Sequence, residues 1–295
     1  MIRPGEIQLR AREDGVRDQQ IEKDYVLSWI LKGISENEEL LKAIAFKGGT
    51  VLKKVYFPDY RYSEDLDFTL LNNSLTIEEI FSRFKNTFEY VAEEANIPLE
   101  ITNTNQHEDG GINFYISYTG PLGGQGAHKR IKVDISRSEK LQYEPVMTEV
   151  IVKYSDMEAH RLLCYPLEEV LIEKMRTVMQ RMQARDFYDI WFLLEKHRID
   201  AAFHMNEFAR KCASKNLNHL DFPAKLSERL PQYKGRWESS LREQIKDLPD
   251  FDTVEREVQR HLKKLNLELG RHRSAEVQRN PDEEKRQTKR KGKSL

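Results

Sequence analysis

The chain has 295 residues, 39% hydrophobic and 33% charged, which suits one catalytic domain and a smaller one at about 100–200 residues per domain. Its formal net charge of −1 gives no global attraction to nucleic acid, so any such binding has to come from local patches. No run of about 18 apolar residues occurs, the opening MIRPGEIQLRARED lacks an apolar signal core, and Cys164 and Cys212 lack metal-ligand spacing with the histidines; a cytoplasmic protein with reduced, ordinary cysteines is expected.

In chain order, residues 17–42 show helical periodicity, with Ile21, Tyr25, Trp29, Ile30 and Ile34 forming an apolar stripe flanked by Lys23 and Asp24. A short strand over residues 43–46 leads into a turn at Gly48-Gly49-Thr50, and residues 51–56 continue as a helix. Residues 63–71 read as a strand carrying Ser63-Glu64-Asp65-Leu66-Asp67-Phe68. Thr76 and Glu79 form a capping box ahead of a helix with Ile80, Phe84, Phe88 and Val91 on one side. The period then changes to two. Residues 99–105, 112–118, 131–136 and 150–154 read as antiparallel strands, and the connection over 120–126 is glycine-rich enough to be mobile. From Pro166 the chain turns helical, with Pro166 in the first turn, Glu168 and Glu169 at the positive end of the dipole, and the helix running towards Met182. Further helices follow over 185–265, the tail from Gly270 holds few apolar residues, and there is no internal repeat.

The chemistry gathers around two segments. A glycine pair after a strand lets the backbone turn tightly and approach a phosphate, with the N–H groups of the next helix facing the anion. In Asp65-Leu66-Asp67 the alternate residues of an extended strand point to one side. Two such carboxylates repel, so the strand needs a cation, and Mg²⁺, bound through carboxylate oxygens and nucleotide phosphates, is the natural candidate. Taken singly, Gly-Gly reads as an ordinary turn and Asp-x-Asp as a solvated loop; their order, with Lys53, Lys54 and Arg61 between them, points to metal-dependent nucleotidyl transfer. Arg130-Ile131-Lys132-Val133-Asp134-Ile135 alternates as a half-buried strand and puts Asp134 where an adjacent strand would deliver a third metal ligand. By itself, Asp134 reads as a strand-end residue facing solvent. Gly48, Gly49 and Thr50 are the candidate phosphate cradle, and Ser63 either adds a hydroxyl to it or simply opens the strand.

Lys174 lies on the polar side of a helix whose apolar residues are Val170, Leu171, Met175 and Val178, where a lysine is usually solvated. Asp186 and Asp189 share one helix face. Asp186 also reads as a cap, whereas Asp189 sits among Phe187, Ile190, Trp191 and Phe192, where a lone carboxylate is costly; it calls for a cationic partner, Lys174 or Arg185. The histidines show no zinc spacing, and neither Gly-x-Ser-x-Gly nor a Walker sequence occurs.

The stretch FKGGTVLKKVYF…RYSEDLDF resembles the AbiEii/AbiGii family of nucleotidyltransferase-like toxins, which includes the MenT proteins. Ile21-Glu22-Lys23-Asp24-Tyr25-Val26-Leu27 is similar to the helix before the family's glycine motif, and the segments from Glu168 to Met175 and from Arg185 to Ile190 are similar to its lysine and RD-x-x-D motifs. The four blocks keep the family's order over roughly residues 20–195. The resemblance implies an α+β fold: a polymerase-β-like nucleotidyltransferase mixed sheet with flanking helices, followed by a helical C-terminal region. On that basis residues 1–160 are expected as a nucleotidyltransferase-like α/β domain, 161–268 as a helical domain completing the active site, and 269–295 as a disordered basic tail. It also implies a toxin role opposite a separately encoded antitoxin. It puts Lys174 near the NTP as a point cation on the leaving pyrophosphate, adds Asp189 to the catalytic set, and supports Lys53 or Lys54 on phosphate without deciding between them.

The expected reaction moves a nucleotide from an NTP to an acceptor and releases pyrophosphate. Asp65 and Asp67 hold Mg²⁺, Asp134 deprotonates or aligns the acceptor hydroxyl, and the acceptor, by analogy within the family, is the 3′ end of tRNA. Nothing in the residues themselves points to tRNA. Two other readings stay open: the same chemistry on a protein hydroxyl, and a non-catalytic nucleotide-binding inhibitor, which would gain little from crowding three aspartates. The basic cluster Lys285, Arg286, Lys289, Arg290, Lys291 and Lys293 is expected either to contact RNA phosphates, to meet the antitoxin, or to stay solvated.

Overall fold

Seven strands build one mixed sheet in a computed structural model, which describes residues 1–270 apart from 109, 125, 127, 128, 267 and 268. They are β1 (Ile44–Lys47), β2 (Asp65–Leu70), β3 (Leu99–Gln106), β4 (Ile112–Tyr118), β5 (Arg130–Ser136), β6 (Val146–Glu149) and β7 (Arg161–Cys164). Their spatial order is β3-β4-β5-β2-β1-β7-β6. The helices are α1 (Pro4–Asp14), α2 (Asp18–Glu36), α3 (Glu38–Ala43), α4 (Gly48–Val51), α5 (Ile77–Ala95), α6 (Leu167–Thr177), α7 (Ala184–Trp191), α8 (Met205–Ala213) and α9 (Phe222–Leu241), and residues 251–266 are also helical. The chain divides into two units, Met1–Val170 with Arg236–Leu248, and Leu171–Gly235 with the residues from Pro249 on.

In the first unit, the period-two pattern sorts side chains by face. Leu66 and Phe68 of β2, Phe114 and Ile116 of β4, and Ile131 and Val133 of β5 are all buried, while Asp65, Asp67, Asn113, Tyr115, Lys132 and Asp134 between them stay partly open. The apolar face is covered in part by α5, whose Phe81 and Phe84 meet Phe114 edge-on with ring centroids 5.3 and 5.2 Å apart. The α5 start is as expected: Thr76 accepts from the Glu79 N–H and Glu79 accepts from the Thr76 N–H, the two reciprocal bonds of a capping box. In the second unit, Phe187 of α7 stacks on Tyr233 with centroids 5.3 Å apart and also packs on Phe251.

Several boundaries differ from the sequence reading, each for a local reason. The helix expected over 17–42 is broken at Asn37, whose side chain accepts from the Leu40 N–H and starts α3. The strand expected over 150–154 lies earlier, at β6, and pairs with β7, a short strand the periodicity does not reveal. β3, β4 and β5 pair antiparallel as expected, and the parallel pairing of β5 with β2 makes the sheet mixed, as the resemblance implies. The helix from Pro166 ends at Thr177 rather than near Met182. The opening segment, given no structure from sequence, forms α1, with Pro4 in its first turn and Gly15 in the left-handed conformation at its end. Most of the basic tail expected from residue 269, including its whole basic cluster, lies outside the described residues.

α2 is buried along most of its length, and it buries charge as well as apolar surface. Asp24 is 1% exposed; it accepts from Lys54 at 2.6 Å and from the Tyr154 hydroxyl at 2.7 Å. Burial pushes the Asp24 carboxyl up, but the paired Lys54 and the charge of Lys53 outweigh it and hold the carboxyl below its ordinary 3.8. Removing one partner of such a pair strands the other charge in the interior. Lys54→Met is therefore expected to cost about 3–5 kcal/mol in urea unfolding, with the Asp24→Asn/Lys54→Met double variant recovering much of that loss. Additive losses in the double variant would show that the two groups are not coupled.

Candidate active site

Register is what gathers the carboxylates. β2 and β5 are parallel, with Asp65 opposite Lys132 and Asp67 opposite Asp134, so the four side chains project from the same face of neighbouring strands. On the other side of β2, antiparallel β1 sets Lys47 opposite Asp67, and the glycine turn follows directly. The third carboxylate expected from the alternation in β5 thus lies beside the first two. Lys132, on which the sequence reading placed no role, comes with it and is ion-paired and hydrogen-bonded to Asp134. Burial pulls the Lys132 ammonium down, but its bond to Asp134 and the charges of Asp134, Asp65 and Asp67 outweigh it and hold the group above the ordinary lysine value. The Lys-x-Asp spacing in β5 was the signal that would have found it.

The glycine turn is packed against this face. Gly48 has φ +81°, a conformation that L side chains rarely adopt, and a Cβ there would lie 2.3 Å from Asp67 Oδ2. A Cβ on Gly49 would lie 2.5 Å from an Arg61 guanidinium nitrogen. The two glycines are thus present because a carboxylate and a guanidinium press on the backbone. Thr50 donates to the Asp65 carbonyl and bonds to the Ser63 hydroxyl at 2.8 Å, clamping the turn onto the start of β2. α4 runs on without a break as a wider helical segment to Tyr56. Arg61, met in the sequence only as an intervening cation, is 3% exposed and donates to Gln244 Oε1 at 3.0 Å.

Two neighbouring elements frame the face. Lys23 of α2 pairs with Glu64 at 2.6 Å, one residue before Asp65. Glu22, fully buried, accepts from the Leu122 N–H at 2.8 Å and from Lys129 at 2.5 Å. One carboxylate thereby holds the connection between β4 and β5 at Leu122 and again at Lys129; residues 125, 127 and 128 of the stretch expected to be mobile lie outside the described residues.

The lysines expected on phosphate are engaged elsewhere. Lys53 donates to the carbonyls of Pro58 and Tyr60 at 3.0 and 2.7 Å and lies 4.2 Å from the Tyr62 ring centroid; burial pulls its ammonium down to about 8. Lys54 is the partner of Asp24. Both are cations that hold a loop and a helix in place, so neither carries forward as a phosphate ligand. In the second unit, Lys174 is 6% exposed rather than solvated and lies 2.7 Å from both Asp186 Oδ1 and Asp189 Oδ2. Asp189 has the lysine partner its surroundings call for. Asp186 is not a cap: it accepts from Lys174 and from Arg181, and although burial pushes its carboxyl up, these cations outweigh that and hold it below 3.8.

The donor set on the sheet face suits a hard cation: two carboxylates on alternate residues of one strand, a third in register beside them, and no side chain at Gly48 to crowd Asp67. Asp134 is paired with Lys132, and among the described residues no group of three or more His, Cys, Asp or Glu side chains converges into a metal cage.

A mixed sheet with paired aspartates on one strand, a third in register and a Gly-Gly turn against them defines a nucleotidyltransferase fold. A family profile described as nucleotidyl transferase AbiEii toxin, type IV TA system, matches residues 29–257, and the chain belongs to that family of toxin–antitoxin nucleotidyltransferases. Membership brings an NTP substrate and an antitoxin as partner. Among solved structures, JHP933 from Helicobacter pylori is 15% identical with a TM-score of 0.54, covering 90% of this chain and 99% of its own. A proposed nucleotidyltransferase of H. pylori is 17% identical with a TM-score of 0.55, covering 87% and 98%. MenT4, a nucleotidyltransferase toxin from Mycobacterium tuberculosis, is 15% identical with a TM-score of 0.47, covering 92% and 99%. No curated protein matches the chain by sequence. No helix among the described residues is long and apolar enough to cross a membrane.

Two substitutions test this geometry. Gly48→Ala forces a methyl group into Asp67 at a positive φ and is expected to cost about 1–3 kcal/mol in thermal unfolding; a variant as stable as the parent would mean that the contact is not rigid. Lys174→Met leaves Asp186 and Asp189 buried with less counter-charge and is expected to cost about 3–5 kcal/mol at neutral pH. Because the Asp186 pKa is depressed on folding, its contribution is present above pH 3.8 and is lost as pH falls below that value. Urea midpoints measured from pH 3 to pH 7 should therefore fall towards acid in the parent, while in Lys174→Met, whose buried carboxylates gain by protonation, the fall towards acid should shrink or reverse.

Proposed function

We propose that the chain transfers a nucleotide from an NTP to the 3′ end of tRNA in the cytoplasm, using Mg²⁺ held by Asp65 and Asp67. The observation that carries this reading is the register setting Asp67 beside Asp134 with Gly48 packed on the Asp67 carboxylate. Bound Mg²⁺ would supply charge neutralisation on the phosphates as the bond to the leaving pyrophosphate breaks. The chain's own part is orientation. Gly48, Gly49 and Thr50 open a helix whose first N–H groups suit the triphosphate, and the Thr50–Ser63–Asp65 clamp fixes that turn relative to the carboxylates. Asp134, in register with Asp67, would align the acceptor hydroxyl. Lys174 and Asp189, which the resemblance adds to the catalytic set, enter as an ion pair that Asp186 shares.

The test is to incubate the purified full chain with Mg²⁺ and each labelled NTP, together with total RNA or total protein. Label is expected on the 3′ ends of tRNA-sized RNA, and Asp67→Asn is expected to lower the rate by at least about a thousandfold while leaving the melting midpoint close to the parent's. Label on protein instead would replace the acceptor, and nucleotide binding without transfer to either would replace the enzyme by a sequestering inhibitor. Near-full activity in Asp67→Asn would move the site away from β2.

A further inference from the structure

The acidic face of β2 and β5 already contains a cation, and it belongs to the chain. Lys132 stands opposite Asp65 in the register, two residues from Asp134 on its own strand, and its ammonium is bonded to Asp134 Oδ2. Alternation sends Ile131 and Val133 into the core and leaves Lys132 on the carboxylate side of the strand. Three carboxylates on neighbouring positions of two strands need counter-charge; the register puts Lys47 of β1 opposite Asp67, and Lys132 opposite Asp65 and in the bond to Asp134. A divalent ion drawing on Asp134 has to take that carboxylate from the ammonium.

We propose that Lys132 is the resident counter-ion of the metal-free site, and that its bond to Asp134 competes with divalent-metal ligation by that carboxylate, so that Lys132 sets the metal affinity of the enzyme. This rests on the reading of Asp65 and Asp67 as metal ligands given above, with Asp134 as the third ligand expected from the sequence. The ammonium released from Asp134 remains opposite Asp65 in the register. In this role Lys132 is a positioning residue that acts through Asp134.

The probe is Mn²⁺ titrated without nucleotide into the full chain and followed by electron paramagnetic resonance of the free ion. In Lys132→Met the competitor is gone, and Mn²⁺ affinity is expected to rise about fivefold, the scale of a partly exposed ion pair. In EDTA the same variant should melt below the parent, and Mn²⁺ should raise its midpoint by more than it raises the parent's. Lys132→Arg keeps the charge and grips a carboxylate with a two-pronged donor, so it is expected to fold like the parent and to bind Mn²⁺ more weakly. Unchanged or weaker binding in Lys132→Met, or tighter binding in Lys132→Arg, would overturn the proposal. So would the absence of Mn²⁺ binding by Lys132→Met, and if that variant fails to fold, the arginine variant decides alone. Asp67→Asn separates the two levels: loss of Mn²⁺ binding there with no effect at Lys132 removes only this inference, whereas unchanged binding in Asp67→Asn removes the metal site itself.

Discussion

Like charges on neighbouring strands are the constraint around which the first unit is arranged. Adjacent strands lie about 4.8 Å apart, and the register of β2 with β5 leaves Asp65, Asp67 and Asp134 no way to separate without moving a strand. A sheet built for stability alone would not choose this. The surroundings answer the repulsion piece by piece. Lys132 takes Asp134, Gly48 yields the space that the Asp67 carboxylate fills, and Thr50 ties the turn back to the backbone of Asp65.

Around that face lies a second tier of charge that is buried and paired. Glu22 with Lys129 and Asp24 with Lys54 both come from α2, one fastening the connection between β4 and β5 and the other fastening the helix after the glycine turn. Lys53 does the same for the loop that runs into Arg61 by donating to its carbonyls. Buried ion pairs of this kind add little net stability compared with apolar packing, but they tolerate few alternative arrangements. Their effect here is on geometry: each restrains an element that borders the carboxylates.

The sheet face itself was legible in the sequence because it follows from period-two alternation and from turn chemistry. Asp65 and Asp67 share a side, Asp134 sits on an alternating strand, Gly48 and Gly49 need a close approach, and Thr76 with Glu79 announces a helix. What stayed hidden depends on partners far away in the chain. That Lys53, Lys54 and Lys174 are interior cations cannot be read from their helices, since a polar-face lysine looks the same whether water or an aspartate meets it. Asp186 looked like a cap for the same reason. β6 and β7 escaped because each has only four residues, too few for alternation to register, and the break at Asn37 escaped because apolar spacing continues across it. Lys132 lies in the same alternation as Asp134, but a strand lysine ordinarily points to water, so the pattern alone gives it no partner.

The mixed topology has a consequence for how the protein comes into being. β2 is made well before β5, with α5, β3 and β4 between them, so the strand carrying Asp65 and Asp67 leaves the ribosome without its parallel neighbour. Parallel pairing across so long a stretch closes late, because the entropy of the intervening chain has to be spent before the contacts return it. Until then the aspartate pair has neither Lys132 nor Asp134 beside it. The acidic face is therefore complete only once β5 has docked beside β2.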